Sequence, residues 1–212
     1  ISISKQDWDS HETSWDFERN PLYEQFLECM EDDLQNVIPS ETSLEELSKY
    51  AVAEAMHPLT TCIHNYKDKW EVNFMRLHKN EEELNRQFID IYGLQDELTP
   101  DVPLNEITVL QQGEISIEND RIKWHDDVVM KQFISYAVGC MMGRYSIDKP
   151  GLVLANQGDG VNEYNEKVPN SRFEVDDDGI IPLMTSDTEF ADNATKRFKQ
   201  WLAIAFGDTH LV

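Results

Sequence analysis

The sequence predicts a mainly α-helical fold, a helical bundle built on one long helix with a few short β-strands in its second half. Three observations predict this fold. An apolar repeat with alternating steps of four and three extends from residue 59 to residue 92. Apolar helix faces precede and follow that repeat, and β-branched residues lie between turn signals after residue 105. With 212 residues, 40% of them apolar, the chain can bury a sizeable core.

The long helix is predicted over residues 59–92. Its apolar stripe has one polar interruption, at Glu81, and Gly93 follows it where a helix commonly ends. The stripe consists of Leu59, Ile63, Tyr66, Trp70, Phe74, Leu77, Leu84, Phe88 and Tyr92. At 1.5 Å per residue such a helix spans about 50 Å. We interpret the stripe as a seam against other helices or a partner chain, because the acids between its members argue against a base-stacking platform.

The segments before the long helix are predicted to be one loop and two helices. Residues 7–17 are aromatic and polar without a clean period, which favours an ordered loop that packs onto another part of the protein. Pro21 starts a predicted helix that reaches about Ile38, with apolar residues four apart on one face. Thr42 or Ser43 caps a further predicted helix.

The second half is predicted to be mixed. Predicted β segments are 107–110, 114–117, 122–124 and 152–155, and 156–172 is a predicted polar loop. Predicted helices run from Asp126 or Asp127 to about Tyr145, and from Asp187 or Asp192 to Phe206. Gly139 and Gly143 lie one turn apart and predict a notch for close backbone packing. The domains are predicted as a helical bundle or spacer over 1–98 and a mixed, mostly helical module over 99–212, with one continuous domain as the alternative.

The charge of the chain excludes several function classes. Its 18 Lys and Arg against 41 Asp and Glu give a net charge of −23, which argues against an autonomous nucleic-acid binder and against a protein that binds an anionic membrane surface.

Other features concern the cellular location of the chain. The sequence contains no run of about 18 apolar residues, so it predicts no transmembrane helix. The first residue is Ile and no signal peptide follows, which indicates a piece from the interior of a longer chain. Three unspaced cysteines argue against disulfides and thiolate zinc, and predict a cytoplasmic protein.

Catalytic and cofactor motifs are not found in the sequence. The Asn20-Pro21-Leu22-Tyr23 segment lacks the second Pro of the Asn/Asp-Pro-Pro-aromatic tetrad that holds a flipped base for amino-methylation. Gly158-Asp159-Gly160 lacks the amphipathic helix that follows a nucleotide-binding glycine turn. We therefore predict no catalytic, cofactor-binding or metal-binding residue in this chain.

Two weaker signals remain. Residues 174–185 resemble a calcium loop, but Glu174 replaces the first Asp and Thr185 replaces the bidentate Glu, which favours a solvated acidic turn over a cation site. Arg144 and Tyr145, with Lys149, form the best basic-aromatic cluster. They are the candidate contacts to DNA or a partner, with complementation of a helix dipole as the alternative.

Several stretches carry a family resemblance. They are residues 7–9, 13–17, 81–98, 133–146 with Asp148 and 150–152, 178–183 and 197–201. In this order they resemble the large adenine-specific DNA methyltransferases of bacterial phage-exclusion systems of the phage growth limitation type, and related fused restriction-modification enzymes. Residues 40–60 fit the pattern least well and are predicted to be an insertion.

The resemblance implies a non-catalytic role. In that family the S-adenosylmethionine site and the Asn-Pro-Pro-Tyr tetrad lie upstream of the Trp-Asp-Phe stretch, so no catalytic or cofactor residue carries over. The chain is expected to be the helical segment after the catalytic domain, positioning target recognition relative to catalysis. Its implied partners are the rest of the parent methyltransferase, DNA through that parent, and other defence proteins, without a membrane.

Two other hypotheses stay open. Residues 1–50 carry 13 acids and 3 bases, so the alternative is an acidic module that binds a basic partner of the defence system. A DNA-reading domain is the hypothesis that the net charge disfavours.

Overall fold

The computed structural model describes residues 1–37, 59–184 and 192–207. Its helices are α1 (Ser2–Asp9), α2 (Pro21–Val37), α3 (Leu59–Tyr92), α4 (Asp126–Met141), α5 (Val161–Lys167) and α6 (Ala194–Phe206). A 3-10 turn (Leu104–Glu106) precedes an antiparallel hairpin of β1 (Ile115–Glu118) and β2 (Arg121–Trp124). These elements confirm the predicted mainly α fold with short strands in the second half. Within the described ranges, no helix is both long and apolar enough to cross a bilayer.

Helix α3 has the predicted bounds, but only its first half is a core seam. Its buried residues up to Leu77 are Cys62, Tyr66, Trp70, Phe74 and Leu77. Helix α2 packs against this half. Further along, Leu84, Phe88 and Tyr92 are exposed, so the described residues do not cover that part of the stripe, and a seam against a partner chain stays a prediction there. The chain after Tyr92 returns along another side of the helix, where Asn85 Nδ2 donates to Pro100 O at 3.4 Å.

The main core is built around Trp201 of α6. This side chain is fully buried, and its ring centroid lies 5.4 Å from that of Phe133 and 6.1 Å from that of Tyr136, both on α4. Tyr23 of α2 lies 6.3 Å away on another side. The same buried cluster includes Tyr66 of α3. One core thus takes residues from both sides of position 98, and the division at that position stays a prediction.

The segment predicted as a first strand at 107–110 is not a strand. Leu110 has a positive φ of 61°, and its N–H donates to Asp7 Oδ1 at 3.0 Å instead of a strand partner. Ile107 and Val109 are buried beside Phe74 of α3. The apolar character of this segment therefore reflects burial under the long helix rather than pairing in a sheet.

The end of α4 also departs from prediction. The helix ends at Met141 rather than near Tyr145, because Gly143 adopts a φ of +72° and the Arg144 N–H turns back to Gly139 O at 2.8 Å. The predicted strand 152–155 is an irregular segment. Its backbone donates to this turn, from Val153 to Arg144 O at 2.9 Å.

Two further segments contain helices where loops were predicted. The last three residues of α1 lie within the opening stretch 7–17 that was interpreted as a loop, and α5 lies inside the predicted loop 156–172. Helix α6 begins at Ala194, where the Asn193 side chain accepts the N–H of Lys196 at 3.0 Å. The predicted helix after Thr42 or Ser43, the end of α2 at Ile38 and the alternative start at Asp187 lie outside the described residues.

Candidate functional site

A surface groove lies between the turn after α4 and the segment that follows α1. It has a volume of about 410 Å³. Its lining residues are Glu12, Thr13, Ser14, Trp15, Phe17, Arg144, Tyr145 and Leu152. Two of the three candidate contact residues predicted from the sequence therefore line one groove.

Gly139, within α4, and Gly143, just after α4, are both in close contact with other side chains. A Cβ added to Gly139 would lie 2.5 Å from Cδ2 of the Tyr145 ring. A Cβ on Gly143 would lie 2.9 Å from a methyl carbon of Leu154. Close packing is thus present at both glycines, but side chains rather than a neighbouring backbone approach them, and of the two side chains Tyr145 lines the groove and Leu154 does not.

Arg144 and Tyr145 have different surroundings. Arg144 is exposed, and its guanidinium carbon lies 5.5 Å from the centroid of the Tyr145 ring. Arg144 Nε donates to Tyr145 Oη at 3.1 Å, and Tyr145 Oη donates to Glu12 Oε2 at 3.4 Å. Tyr145 is only 2% exposed and packs on Phe17, with centroids 5.2 Å apart. Tyr145 therefore orients Arg144, and Arg144 is the member that an external molecule can reach.

The protonation of Tyr145 follows from this environment. Burial raises the pKa of its phenol, although the hydrogen bond from Arg144 opposes the shift. The phenol is neutral at physiological pH and can donate its proton to Glu12 while it accepts from Arg144.

Lys149 is directed elsewhere. Its Nζ donates to the backbone oxygen of Lys167 at 3.5 Å, at the end of α5. Lysine near the last carbonyls of a helix complements their partial negative charge. This helix is α5 and not the helix before Arg144, whose end the sequence alternative concerned, so the predicted role of Lys149 as a contact stays a prediction.

Trp15 is a groove residue that the sequence interpretation did not select as a site. Its side chain is fully exposed, and Leu152 on the other lining segment is also exposed. An indole beside a guanidinium can stack on a planar group or cover the apolar part of a ligand. The groove thus has binding chemistry.

A buried polar cluster was also missed. His11 Nε2 lies 2.6 Å from Glu114 Oε1, and His11 Nδ1 lies 2.7 Å from the backbone oxygen of Asp7. Gln132 Nε2 donates to the same Glu114 oxygen at 2.6 Å. Both ring nitrogens of His11 face acceptors, so the ring donates from both and carries a positive charge.

The pKa values of this pair follow from the geometry. Burial alone would lower the pKa of His11, but the hydrogen bond and the charge of Glu114 outweigh it and raise the pKa. Burial would raise the pKa of Glu114, but hydrogen bonds from His11 and Gln132 lower it. Because neither side chain is accessible, the pair is a structural link between α1 and the hairpin. No sequence signal could reveal it, because 103 positions separate its members.

The acidic segment after residue 174 forms a turn. Asp176, Asp177 and Asp178 offer carboxylate oxygens within 4.8 Å of one another. Asp176 Oδ2 and Asp178 Oδ1 accept the N–H of Ile180 at 2.9 and 2.8 Å. These bonds agree with the predicted acidic turn. Thr185, the last position of the loop, lies outside the described residues.

Comparisons with known proteins find that the sequence of the chain is similar to parts of two enzymes of one class. No protein-family model matches it. It is 34% identical over 213 residues to "Adenine-specific methyltransferase PglX" of Lacticaseibacillus casei (strain Zhang). It is 31% identical over 215 residues to "Adenine-specific methyltransferase BrxX" of Escherichia coli O9:H4 (strain HS).

Both similarities extend over 100% of this chain but only 14% and 15% of those proteins. The chain thus spans about one seventh of the length of the curated relatives that it matches. The resemblance to adenine-specific methyltransferases that the sequence stretches indicated is confirmed.

Proposed function

Because the whole chain is similar to a short part of adenine-specific methyltransferases, we propose that it is a non-catalytic helical segment of such an enzyme. The parent would transfer a methyl group from S-adenosylmethionine to the N6 atom of adenine in DNA, within a phage-defence or restriction-modification system. The observation that carries this proposal is the match of the entire chain to only 14–15% of each relative. The segment would lie downstream of the catalytic domain and hold target recognition at a fixed position relative to catalysis.

The structure of α3 supports a positioning role. Its first half is fixed in the main core through Tyr66 and Trp70, and its second half continues as the same helix to Tyr92. A continuous helix of 34 residues spans about 50 Å and is stiff over that length. Such a rod can keep two flanking domains at a defined separation.

The Asn20-Pro21-Leu22-Tyr23 segment supports a non-catalytic assignment. Asn20 is buried, and its Oδ1 accepts the N–H of Leu22 at 3.0 Å at the start of α2. Tyr23 is buried in the aromatic cluster around Trp201. A flipped base must reach the tetrad that binds it, and these two side chains serve the fold instead. S-Adenosylmethionine would accordingly bind elsewhere in the parent.

Methyl transfer provides the test of the assignment. We expect the 212-residue chain to incorporate no tritiated methyl group into duplex DNA, and the full-length parent to do so. Methyl transfer by the isolated chain would overturn the proposal. So would a parent that binds S-adenosylmethionine but methylates another kind of acceptor.

The positioning role needs a separate variant in the parent. Trp70→Ala removes the anchor of α3 from the core, and the matched control Val72→Ala changes an exposed residue two positions away. We expect Trp70→Ala to retain S-adenosylmethionine binding and to lower methylation by about tenfold, while Val72→Ala changes neither. Equal methylation by both variants would contradict a positioning role. If Trp70→Ala does not fold, as judged by circular dichroism, Phe74→Leu replaces it.

Arg144 is the residue through which we propose that this segment contacts DNA or another part of the enzyme. Its exposure beside Trp15 and its support by Tyr145 favour this assignment. The net charge of −23 restricts such a contact to a local one, made when the rest of the enzyme supplies the affinity.

A further inference from the structure

The outer end of α3 presents an apolar face that no described residue covers. Its members are Leu84, Phe88, Ile91, Tyr92 and Leu98, with exposed fractions of 52%, 50%, 73%, 70% and 53%. We call this set the tip face. The four that belong to the helix share one of its sides through their spacing of four, three and one, and the rings of Phe88 and Tyr92 stack with centroids 6.3 Å apart.

The tip face is held in place without a partner. Gly93 adopts a φ of +67°, and the Leu94 N–H donates to Ile89 O at 3.0 Å, which turns the chain back along α3. Asn85 Nδ2 donates to the oxygen of Pro100 at 3.4 Å, and His78 Nε2 lies 2.7 Å from the oxygen of Val102. The returning segment thus fixes one side of the helix end and leaves the tip face open, so a partner would meet a preformed surface.

The surroundings of the tip face are strongly acidic. Residues 81–98 contain six acids and one base, and the base, Arg86, is paired with Glu83. Among the described residues, Glu81, Asp96 and Glu97 have no salt-bridge partner. An apolar face beside unpaired carboxylates complements a surface that is apolar at its centre and basic at its edge.

We propose that the tip face is a docking site for a polypeptide that presents an apolar helix face flanked by lysine or arginine. Helix-on-helix docking uses anchors at this spacing, and Phe88 and Tyr92 are of the type that dominates such interfaces. A second copy of this chain is a poorer occupant, because each copy carries the same acids. This proposal does not rest on the methyltransferase assignment, and it gives the alternative hypothesis of an acidic interaction module a specific surface outside residues 1–50.

The test uses the 212-residue chain and a labelled helical peptide of about 18 residues with leucine on one face and lysine beside it. A second peptide has glutamate in place of each lysine. We expect saturable fluorescence anisotropy with the lysine peptide, and about tenfold weaker binding with the glutamate peptide. Equal binding of both peptides, or binding of neither, would overturn the proposal.

Variants of the chain locate the contact. Leu84→Ser with Phe88→Ser alters the tip face, and Val72→Ser with Met75→Ser is the control on the same helix, since both residues are also exposed. We expect the tip variant to weaken peptide binding about tenfold and the control to bind like the unmodified chain. Equal weakening in both variants would contradict a specific site.

A charge variant and a mass measurement complete the test. Glu81→Gln with Glu97→Gln should weaken peptide binding several-fold. The control Glu166→Gln with Asp177→Asn should not, because Glu166 and Asp177 are exposed acids on other segments.

Sedimentation equilibrium should show that the chain is a monomer without peptide. A dimer that the Leu84 and Phe88 substitutions dissociate would overturn the assignment of the occupant in favour of a second copy.

Discussion

His11 Nε2 and Glu114 Oε1 lie 2.6 Å apart in the interior, although 103 positions separate the two residues. Glu114 directly precedes β1, and its backbone oxygen accepts the N–H of His125 at 2.8 Å, where β2 passes into α4. His11 follows α1 and is held by the oxygen of Asp7. The ion pair therefore ties the start of the chain to the hairpin.

His11→Ala is expected to lower the free energy of unfolding by about 3 kcal/mol, because it leaves the buried carboxylate of Glu114 without its cation. The control is His64→Ala, which breaks a pair with Asp68 in which both side chains are exposed and should cost under about 1 kcal/mol. Urea unfolding at constant pH measures both values. Equal losses of unfolding free energy in the two variants would show that the buried pair stabilises the protein no more than an exposed pair does.

The pair also predicts a pH dependence. The pKa of His11 is raised above 6.5, so its contribution is complete below 6.5 and is lost as pH rises through the raised value. The pKa of Glu114 is lowered below 4.5, so its contribution is complete above 4.5 and is lost as pH falls through the lowered value. The pair is therefore most stabilising between pH 4.5 and 6.5.

Urea midpoints of the unmodified chain and His11→Gln test this window. The stability difference between them should be largest near pH 5.5 and should shrink by about pH 9. A difference that stays constant across this range would show that His11 does not titrate with folding.

Gly139→Ala sets two effects against each other. Alanine gains about 1 kcal/mol over glycine in a helix interior, but its Cβ would lie 2.5 Å from the Tyr145 ring. Overpacking of this kind costs about 1–3 kcal/mol, so we expect a net loss of about 1 kcal/mol in thermal or urea unfolding. In the background Tyr145→Leu, which removes the clashing ring, the same substitution should be neutral or stabilising. A loss of equal size in both backgrounds would mean that the ring is not the cause.

The two halves of the α3 stripe should respond differently to truncation. Phe74→Ala removes a fully buried ring and should cost about 3–5 kcal/mol. Phe88→Ala removes a half-exposed ring of the tip face and should cost under about 1 kcal/mol. Urea unfolding of the two variants compares them directly. A cost for Phe88→Ala close to that of Phe74→Ala would indicate that the outer half is packed in solution.

Local sequence signals sufficed for the regular parts of the fold. The α3 repeat and Gly93 defined a 34-residue helix, because periodicity and a C-terminal glycine act over a few residues. Asn119 and Asp120 both adopt positive φ, as their turn chemistry predicts for a two-residue hairpin. Close packing at Gly139 was also predicted, but the group that approaches it is the Tyr145 ring rather than a neighbouring backbone.

Signals that depend on distant residues could not be predicted in this way. Leu110 looked like the end of a strand, but a hydrogen bond to Asp7 fixes its conformation. The stripe on α3 did not reveal that packing stops after Leu77, because exposure is decided by which segments fold back. The groove at Arg144 joins residues more than 130 positions apart. Arg144 was predicted as a contact from its local cluster, but no local signal could show that Trp15 lines the same groove.

Binding of duplex DNA by the isolated chain tests the proposed contact at Arg144. At about 50 mM salt, where phosphate contacts are strongest, we expect no saturable change in the anisotropy of a labelled duplex, because a net charge of −23 opposes a few local contacts. In the full-length parent, Arg144→Ala should weaken duplex binding by about fivefold and leave S-adenosylmethionine binding unchanged. Arg121→Ala, at an exposed position of the hairpin, is the control and should have no effect. Saturable, salt-sensitive binding by the isolated chain would instead identify a DNA-reading segment, and equal effects of the two variants would remove Arg144 from the contact.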